Sequence, residues 1–259
     1  MNLCKLANSS ALILLVAGFS TVTGCTSTPS QADWVATAIA SPDRSAEARE
    51  RDLRSRPDVV LPLLDLGPGE SAADMFGGGG YYADLMAAMV GSDGQVILHN
   101  NAQYARFVAD KNKARYGDNQ RPPVRLLRSE SDNLQIEDNS LDAALLVMSY
   151  HDLYYKPKDQ AGPLPDVPLF FANLMNAMKS GGRLVIVDHA AAAGTGNAAA
   201  QDLHRIDEQY ARADVEKAGF RFVGSDPALK NPADDHSKMV FDPAIRGKTD
   251  RFILAFEKP

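Results

Sequence analysis

The sequence predicts an α/β fold built on a seven-stranded, mostly parallel sheet whose last strand runs antiparallel. Three observations carry this. Short apolar runs alternate with helical patterns of ten or more residues, the signature of parallel strands joined by right-handed crossovers. A four-glycine turn, Gly77 to Gly80, stands between the first apolar run and the first of those helices. The last two runs lack a helix of comparable strength between them, which turns the final strand antiparallel.

Residues 71–76 (SAADMF) predict the first strand and 81–90 the helix after it. A turn at 91–94 leads into a second strand over 95–99, a helix over 102–116 and a third strand over 124–128. The long apolar run 141–148 reads as a buried central strand. A helix over 169–179 ends at Gly181-Gly182, and 183–188 form the next strand. Residues 202–218 predict one long helix closed by Gly219, followed by strands over 220–225 and 251–257. Ahead of the sheet, residues 45–56 (SAEARERDLRSR) predict a charged helix lying on the domain with a solvated face. Pro57 starts a further short helix that Gly67-Pro68-Gly69 ends.

The chain has 259 residues, 45% of them hydrophobic, enough for one sizeable core. Its net charge of −6 repels phosphate backbones, and no run of Lys and Arg with interleaved aromatics offsets it, so nucleic acid is excluded as a partner.

The N-terminus carries a separate signal. Lys5 precedes the apolar run 11–19 (ALILLVAGF), which is too short to span a bilayer as a helix. Val22-Thr23-Gly24-Cys25 follows and resembles the lipobox of bacterial lipoproteins. The resemblance implies a signal peptide over 1–24 and a lipidated Cys25, followed by a Ser/Thr/Pro-rich tether to about residue 40 and a domain over 41–259. Thr26, in place of the Asp associated with inner-membrane retention, points to the outer membrane, with the domain facing the periplasm. The alternative is a plain secretory signal or a short anchor with an incidental cysteine. Cys4 and Cys25 are the only cysteines, so the mature domain carries no free thiol and no disulfide, which suits an oxidising compartment.

Glycines after the first strand let backbone approach a ligand closely, and ligands bind at the carboxyl edge of such strands. The segment Asp74-Met75-Phe76-Gly77-Gly78-Gly79-Gly80 is similar to the D-x-G-x-G-x-G loop of the class I S-adenosylmethionine-dependent methyltransferases, with Phe76 where the first glycine is usual. The stretch 178–188 (MKSGGRLVIVD) resembles the helix–turn–strand that leads into that family's fifth strand, and the similarity runs over about residues 60–259. It extends to uncharacterised predicted methyltransferases with signal peptides, through Tyr150-His151-Asp152, Asp188-His189 and Leu203-His204-Arg205. The resemblance implies a Rossmann-like sheet and S-adenosyl-L-methionine as cofactor. It places Asp74, Gly77, Gly78 and Gly80 in the cofactor loop, Asn100 at the ribose and Glu130 at the adenine.

Two His–carboxylate sets, His151-Asp152 and Asp188-His189, end the fourth and fifth strands, where donor and acceptor meet in this topology. An oxygen or nitrogen acceptor needs a base, and His151 oriented by Asp152 or Asp188 suits that task. His189 joins them as a catalytic candidate. A metal reading would draw on His151, His189, His204 and Asp234-Asp235-His236, but no established ligand spacing links these residues, and no metal is assigned. The sequence thus supports methyl transfer to a small molecule, or a non-catalytic binding lipoprotein that keeps the fold.

Lipidation at Cys25 has a direct test. The chain should fractionate with the envelope, and Cys25→Ser should release it. Unprocessed wild-type chain in the cytosolic fraction would contradict the lipobox assignment.

Overall fold

The computed structural model describes residues 29–117, 120–121, 123–158 and 164–259. The apolar N-terminal run, Cys4 and Cys25 lie outside the described residues. Among the described residues no helix is long and apolar enough to cross a membrane.

Three helices precede the sheet: α1 (Gln31–Ala40), α2 (Ala46–Ser55) and α3 (Pro57–Val60). The first corrects the expected tether. Ser30 and Asp33 form a capping box, with the Asp33 carboxylate accepting from the Ser30 N–H at 2.7 Å. The helix then buries Val35 and Ala38 against the domain, and Trp34 packs on Gly67, where a Cβ would come within 2.9 Å of its ring. Residues 31–40 therefore belong to the folded unit. The charged helix α2 is tied down through its polar face: Arg44 pairs with Asp52, Tyr81 donates to Asp52 at 2.5 Å, and Tyr82 donates to the Ser55 carbonyl at 2.8 Å.

The remaining elements alternate: β1 (Ser71–Met75), α4 (Tyr81–Val90), β2 (Gln95–Asn100), α5 (Ala102–Tyr116), β3 (Gln120–Arg121), β4 (Val124–Arg128), β5 (Leu141–Val147), α6 (Val167–Ala177), β6 (Met178–His189), α7 (Ala200–Leu203), α8 (Glu208–Lys217), β7 (Arg221–Ser225) and β8 (Arg251–Glu257). The strand order is β3-β4-β2-β1-β5-β6-β8-β7. Strands β4, β2, β1, β5 and β6 are parallel, while β8 runs antiparallel between β6 and β7. These are the seven expected strands; the two-residue β3 extends the edge.

Alternation along the strands builds two cores. On β6, Val185 and Val187 join the core under α1, α3 and α4, while Leu184 and Ile186 join the one under α6 and α8. Strand β6 begins five residues before the expected strand, at Met178. Gly182 makes this possible, since a Cβ there would press on the Lys179 and Asp142 carbonyls at 2.9 and 3.0 Å.

The long helix expected over 202–218 is broken in two. His204 takes a left-handed conformation (φ 54°), Ile206 bridges to Ala190, and Asp207 caps α8 by accepting from the Gln209 N–H. The cause is Arg205, which is fully buried. Its guanidinium donates to the Ala190 carbonyl at 2.9 Å, the Lys238 carbonyl at 2.9 Å and the Asp234 carboxylate at 3.0 Å. An unbroken helix could not bring this side chain inside. Residues 226–250 contain no regular element, and this buried contact is one of several that hold them on the domain.

Breaking a buried pair from one side leaves a charge without a partner. Arg205→Met should therefore cost about 3–5 kcal/mol in urea unfolding. A loss below about 1 kcal/mol, the scale of an exposed pair, would show that the contact does not hold this edge.

Candidate active site

The carboxyl ends of β1, β5 and β6 and the first turns of α5 surround a cavity of about 710 Å³. A second cavity of about 540 Å³ adjoins it and shares Phe76, Gln103, Tyr104, Asp152 and Tyr155 as walls.

The glycine loop forms one side. Gly77 is required internally, because a Cβ there would collide with the Asp74 carboxylate, and Gly80 (φ 82°) is required because a Cβ would collide with the Tyr116 hydroxyl. Gly78 and Gly79 differ. A Cβ on Gly78 would meet only Val108 at 3.9 Å, and one on Gly79 would meet nothing within 4 Å. Both line the larger cavity, so they present bare backbone to it. Gly80, expected among the cofactor contacts, packs away from it.

Asn100 takes a different place from the one expected. Its carboxamide accepts from the Gly78 N–H at 2.9 Å and donates to the Gly78 carbonyl at 3.0 Å. It shapes the loop and lines neither cavity. Glu130 accepts from the Ala102 N–H at 3.2 Å and lines the smaller cavity with Asn101, Gln103 and Asp132. Phe76 sits at φ 52°, its ring against His99, Tyr104 and Phe170. Asp74 is buried and accepts from the Ala83 N–H at 3.0 Å. Burial pushes its carboxyl up to about 7, against the opposing effects of Arg51 and the Ala83 bond.

Three of the four expected catalytic residues, His151, Asp152 and Asp188, come together at the far wall. His151 opens a 3₁₀ turn over His151–Tyr154. Asp188, fully buried at the end of β6, accepts from the His151 N–H at 2.7 Å, from the His189 N–H at 2.7 Å and from His151 Nδ1 at 2.7 Å. The carboxylate is an acceptor, so Nδ1 carries the proton. His151 Nε2 then faces Asp152 Oδ1 at 3.3 Å and His204 Nδ1 at 3.2 Å. Burial lowers the His151 pKa, but the charges of Asp188 and Asp152 overcome it and raise it to about 10. Asp152 is held below the usual carboxylate range: burial opposes its charge, while His151 and hydrogen bonds from His151, His204 and Tyr104 outweigh that. His189 stands apart from the cluster. Its Nδ1 lies 2.7 Å from the Thr249 hydroxyl, and burial, with the nearby His151 and Arg251 cations, drives its pKa well below normal.

Two contributors to this wall, Tyr104 and Tyr155, have no counterpart in the sequence reading, which drew on His204 only as a metal candidate. His204 enters only because the helix breaks beside it. Tyr104, from the first turn of α5, donates to the second oxygen of Asp152. Tyr155 lies against the His204 ring at a centroid distance of 4.3 Å. The triplet Leu203-His204-Arg205 was the available signal for His204; nothing in the pattern of α5 marked Tyr104.

No family model and no curated protein sequence matches the chain. Solved structures do. A SAM-dependent methyltransferase from Aquifex aeolicus aligns with a TM-score of 0.55 at 20% identity, over 83% of this chain and 98% of that one. An S-adenosylmethionine-dependent methyltransferase from Mesorhizobium loti aligns with a TM-score of 0.56 at 13% identity, over 80% and 99%. The [4+2]-cyclase SpnF aligns with a TM-score of 0.52 at 16% identity, over 83% and 81%. The chain has the class I methyltransferase fold, and at these identities the likeness speaks for architecture and not for reaction.

Asp74 gives the site a pH signature. Its folded pKa of about 7 lies above the ordinary value of 3.8, so the native state holds the extra proton between the two. Its contribution to stability is full below the ordinary value and is lost as pH rises through about 7. Asp74→Asn keeps an acceptor for Ala83 and removes the charge. It should be the more stable form at pH 8, by up to about 4 kcal/mol, with the gap closing toward pH 4. Equal unfolding midpoints at both pH values would show that Asp74 ionises in the fold at no cost.

Proposed function

We propose that the chain binds S-adenosylmethionine in the paired cavities and transfers its methyl group to a small acceptor held against the His151 cluster. The observation that carries this is the bare backbone of Gly78 and Gly79 on a cavity whose opposite wall is that cluster. The fold is that of S-adenosylmethionine-dependent methyltransferases, and the loop fits the cofactor in one definite respect: Gly79 leaves open the space a side chain would fill. Gly78 and Gly79 would hold it from the larger cavity, and Gln103 and Glu130 from the smaller. Asn100 is committed to Gly78, and the Phe76 ring fills the place a glycine would leave open. The cofactor supplies, when bound, a methyl group activated by its sulfonium.

The chain's own residues prepare the acceptor. Asp188 fixes the ring of His151 and holds a proton on Nδ1. The other nitrogen, with Asp152 and His204, forms a polar corner on an otherwise largely aromatic and aliphatic wall made by Tyr155, Met148, Val240 and Phe241. Such a wall lowers the polarity around this corner and strengthens the charges facing the acceptor. Taking the proton of an acceptor hydroxyl, amine or carbon acid requires the neutral His151 ring, which the Asp188 and Asp152 charges confine to alkaline pH, so turnover by this route should rise as pH approaches about 10. The envelope address implied by Cys25 belongs to the same proposal and places the acceptor outside the cytoplasm.

Calorimetry of the full chain with S-adenosylmethionine and S-adenosylhomocysteine should show one saturable site. Gly79→Val places a side chain in the cavity without the left-handed strain that Gly78 carries, and should abolish the heat while unfolding stays cooperative. If the wild type binds neither compound, the proposal fails.

A further inference from the structure

The geometry points to a divalent transition-metal site formed by His151 Nε2, His204 Nδ1 and Asp152 Oδ1. The three atoms lie 3.2, 3.3 and 3.4 Å from one another, a nearly equilateral triangle of ligand atoms in which an ion would take the place of the proton on His151 Nε2. Metal–nitrogen and metal–oxygen bonds of about 2.1 Å would set neighbouring ligands about 3.0 Å apart at right angles and about 3.4 Å apart in a tetrahedron. The observed edges fall within that interval, so one ion can reach all three with little movement.

Each of the three donors is also oriented from behind. Asp188 accepts from His151 Nδ1 at 2.7 Å, the carboxylate–histidine arrangement that directs the opposite nitrogen at a metal. The Tyr104 hydroxyl donates to the second oxygen of Asp152, leaving the first for the ion. Tyr155 and Phe241 flank the His204 ring at 4.3 and 5.2 Å. Two carboxylates, Asp152 and Asp188, balance a dication. Arg205, a cation one residue from His204, is turned away to Asp234.

The donor set selects the ion class. Two imidazoles and one carboxylate suit zinc or ferrous iron, whereas magnesium and calcium take oxygen. Three protein ligands on the wall of a cavity leave coordination positions open, which is the form of a catalytic and not a structural site. No local spacing announces it, because His151 and His204 are 53 residues apart and meet only through the break in the helix. The inference deepens the methyl-transfer reading: an ion here would bind the acceptor's oxygen or nitrogen and acidify it, and His151 would serve as a ligand in place of a base.

The test needs neither acceptor nor turnover. Chelator-treated full chain is titrated with Zn²⁺ by calorimetry and with Co²⁺ by visible absorption, both without S-adenosylmethionine. One equivalent should bind, with d–d bands of a four- or five-coordinate nitrogen–oxygen site. His204→Gly removes a ligand and suits the left-handed backbone at that position, so the fold is kept. It should weaken binding at least about 100-fold, and Asp188→Asn should weaken it about 10- to 100-fold. Absence of saturable binding by wild type, or full affinity in folded His204→Gly and Asp152→Asn, overturns the site. Metal binding by a chain that fails to bind S-adenosylmethionine would keep this inference and discard methyl transfer; the reverse result would do the opposite.

Discussion

Asp188 is the residue on which the site depends. It is the penultimate residue of β6, with no exposure to solvent, and its two oxygens accept from two backbone N–H groups and one imidazole. A carboxylate buried with fewer partners would protonate or force the structure apart. Here the three bonds fix where the chain leaves β6, how the turn after β5 begins, and which way the His151 ring faces. The two central strand ends are thus locked to each other by one side chain. What lies beyond them, the aromatic wall and the Tyr104 contact on Asp152, is arranged around a ring that cannot turn.

Strain gathers around the same cavity. Phe76, Met148 and His204 all adopt left-handed backbone, and all are bulky residues for which that conformation is costly. Phe76 is held by stacking among three rings, Met148 by its N–H to the Val187 carbonyl at 2.7 Å, and His204 by Arg205 next to it. In each case surrounding packing imposes the conformation, and each side chain is turned toward the cavity as a result.

The strands were legible because burial on both faces leaves continuous apolar runs, as in LDAALLV and RLVIVD. The number of strands and their mostly parallel pairing followed from the alternation of strand and helix, and the antiparallel β8 from the missing crossover helix. The site was half legible. His151 and Asp188 each follow a strong strand, so topology alone brings them together. His204 was a candidate ligand in the sequence, but its place beside His151 was hidden because residues 202–218 keep a helical composition throughout; what interrupts them is the Arg205 contact with Asp234, 29 residues further on. Asn100 misled for a related reason. Its position beside the loop was right, but whether an amide serves a ligand or the loop's own backbone depends on a separation of 22 residues that no local pattern encodes. The helix over residues 31–40 was taken for tether because its Ser/Thr/Pro-rich approach masks the capping box and the buried face that begin at Ser30.

The interrupted helix also has a bearing on the cavity wall. Residues 226–250 supply Val240 and Phe241 to that wall, yet own no helix or strand. They are held instead by side chains and single backbone bonds: Arg205 to Asp234 and the Lys238 carbonyl, the Val240 N–H to the Leu203 carbonyl, Thr249 on His189, and Lys230 on Glu208. Two of these anchors, Leu203 and Arg205, flank His204, and Phe241 lies against the His204 ring at 5.2 Å. Wall and cluster are therefore coupled in position: a substitution that shifts residues 238–241 reaches His204 through its immediate neighbours.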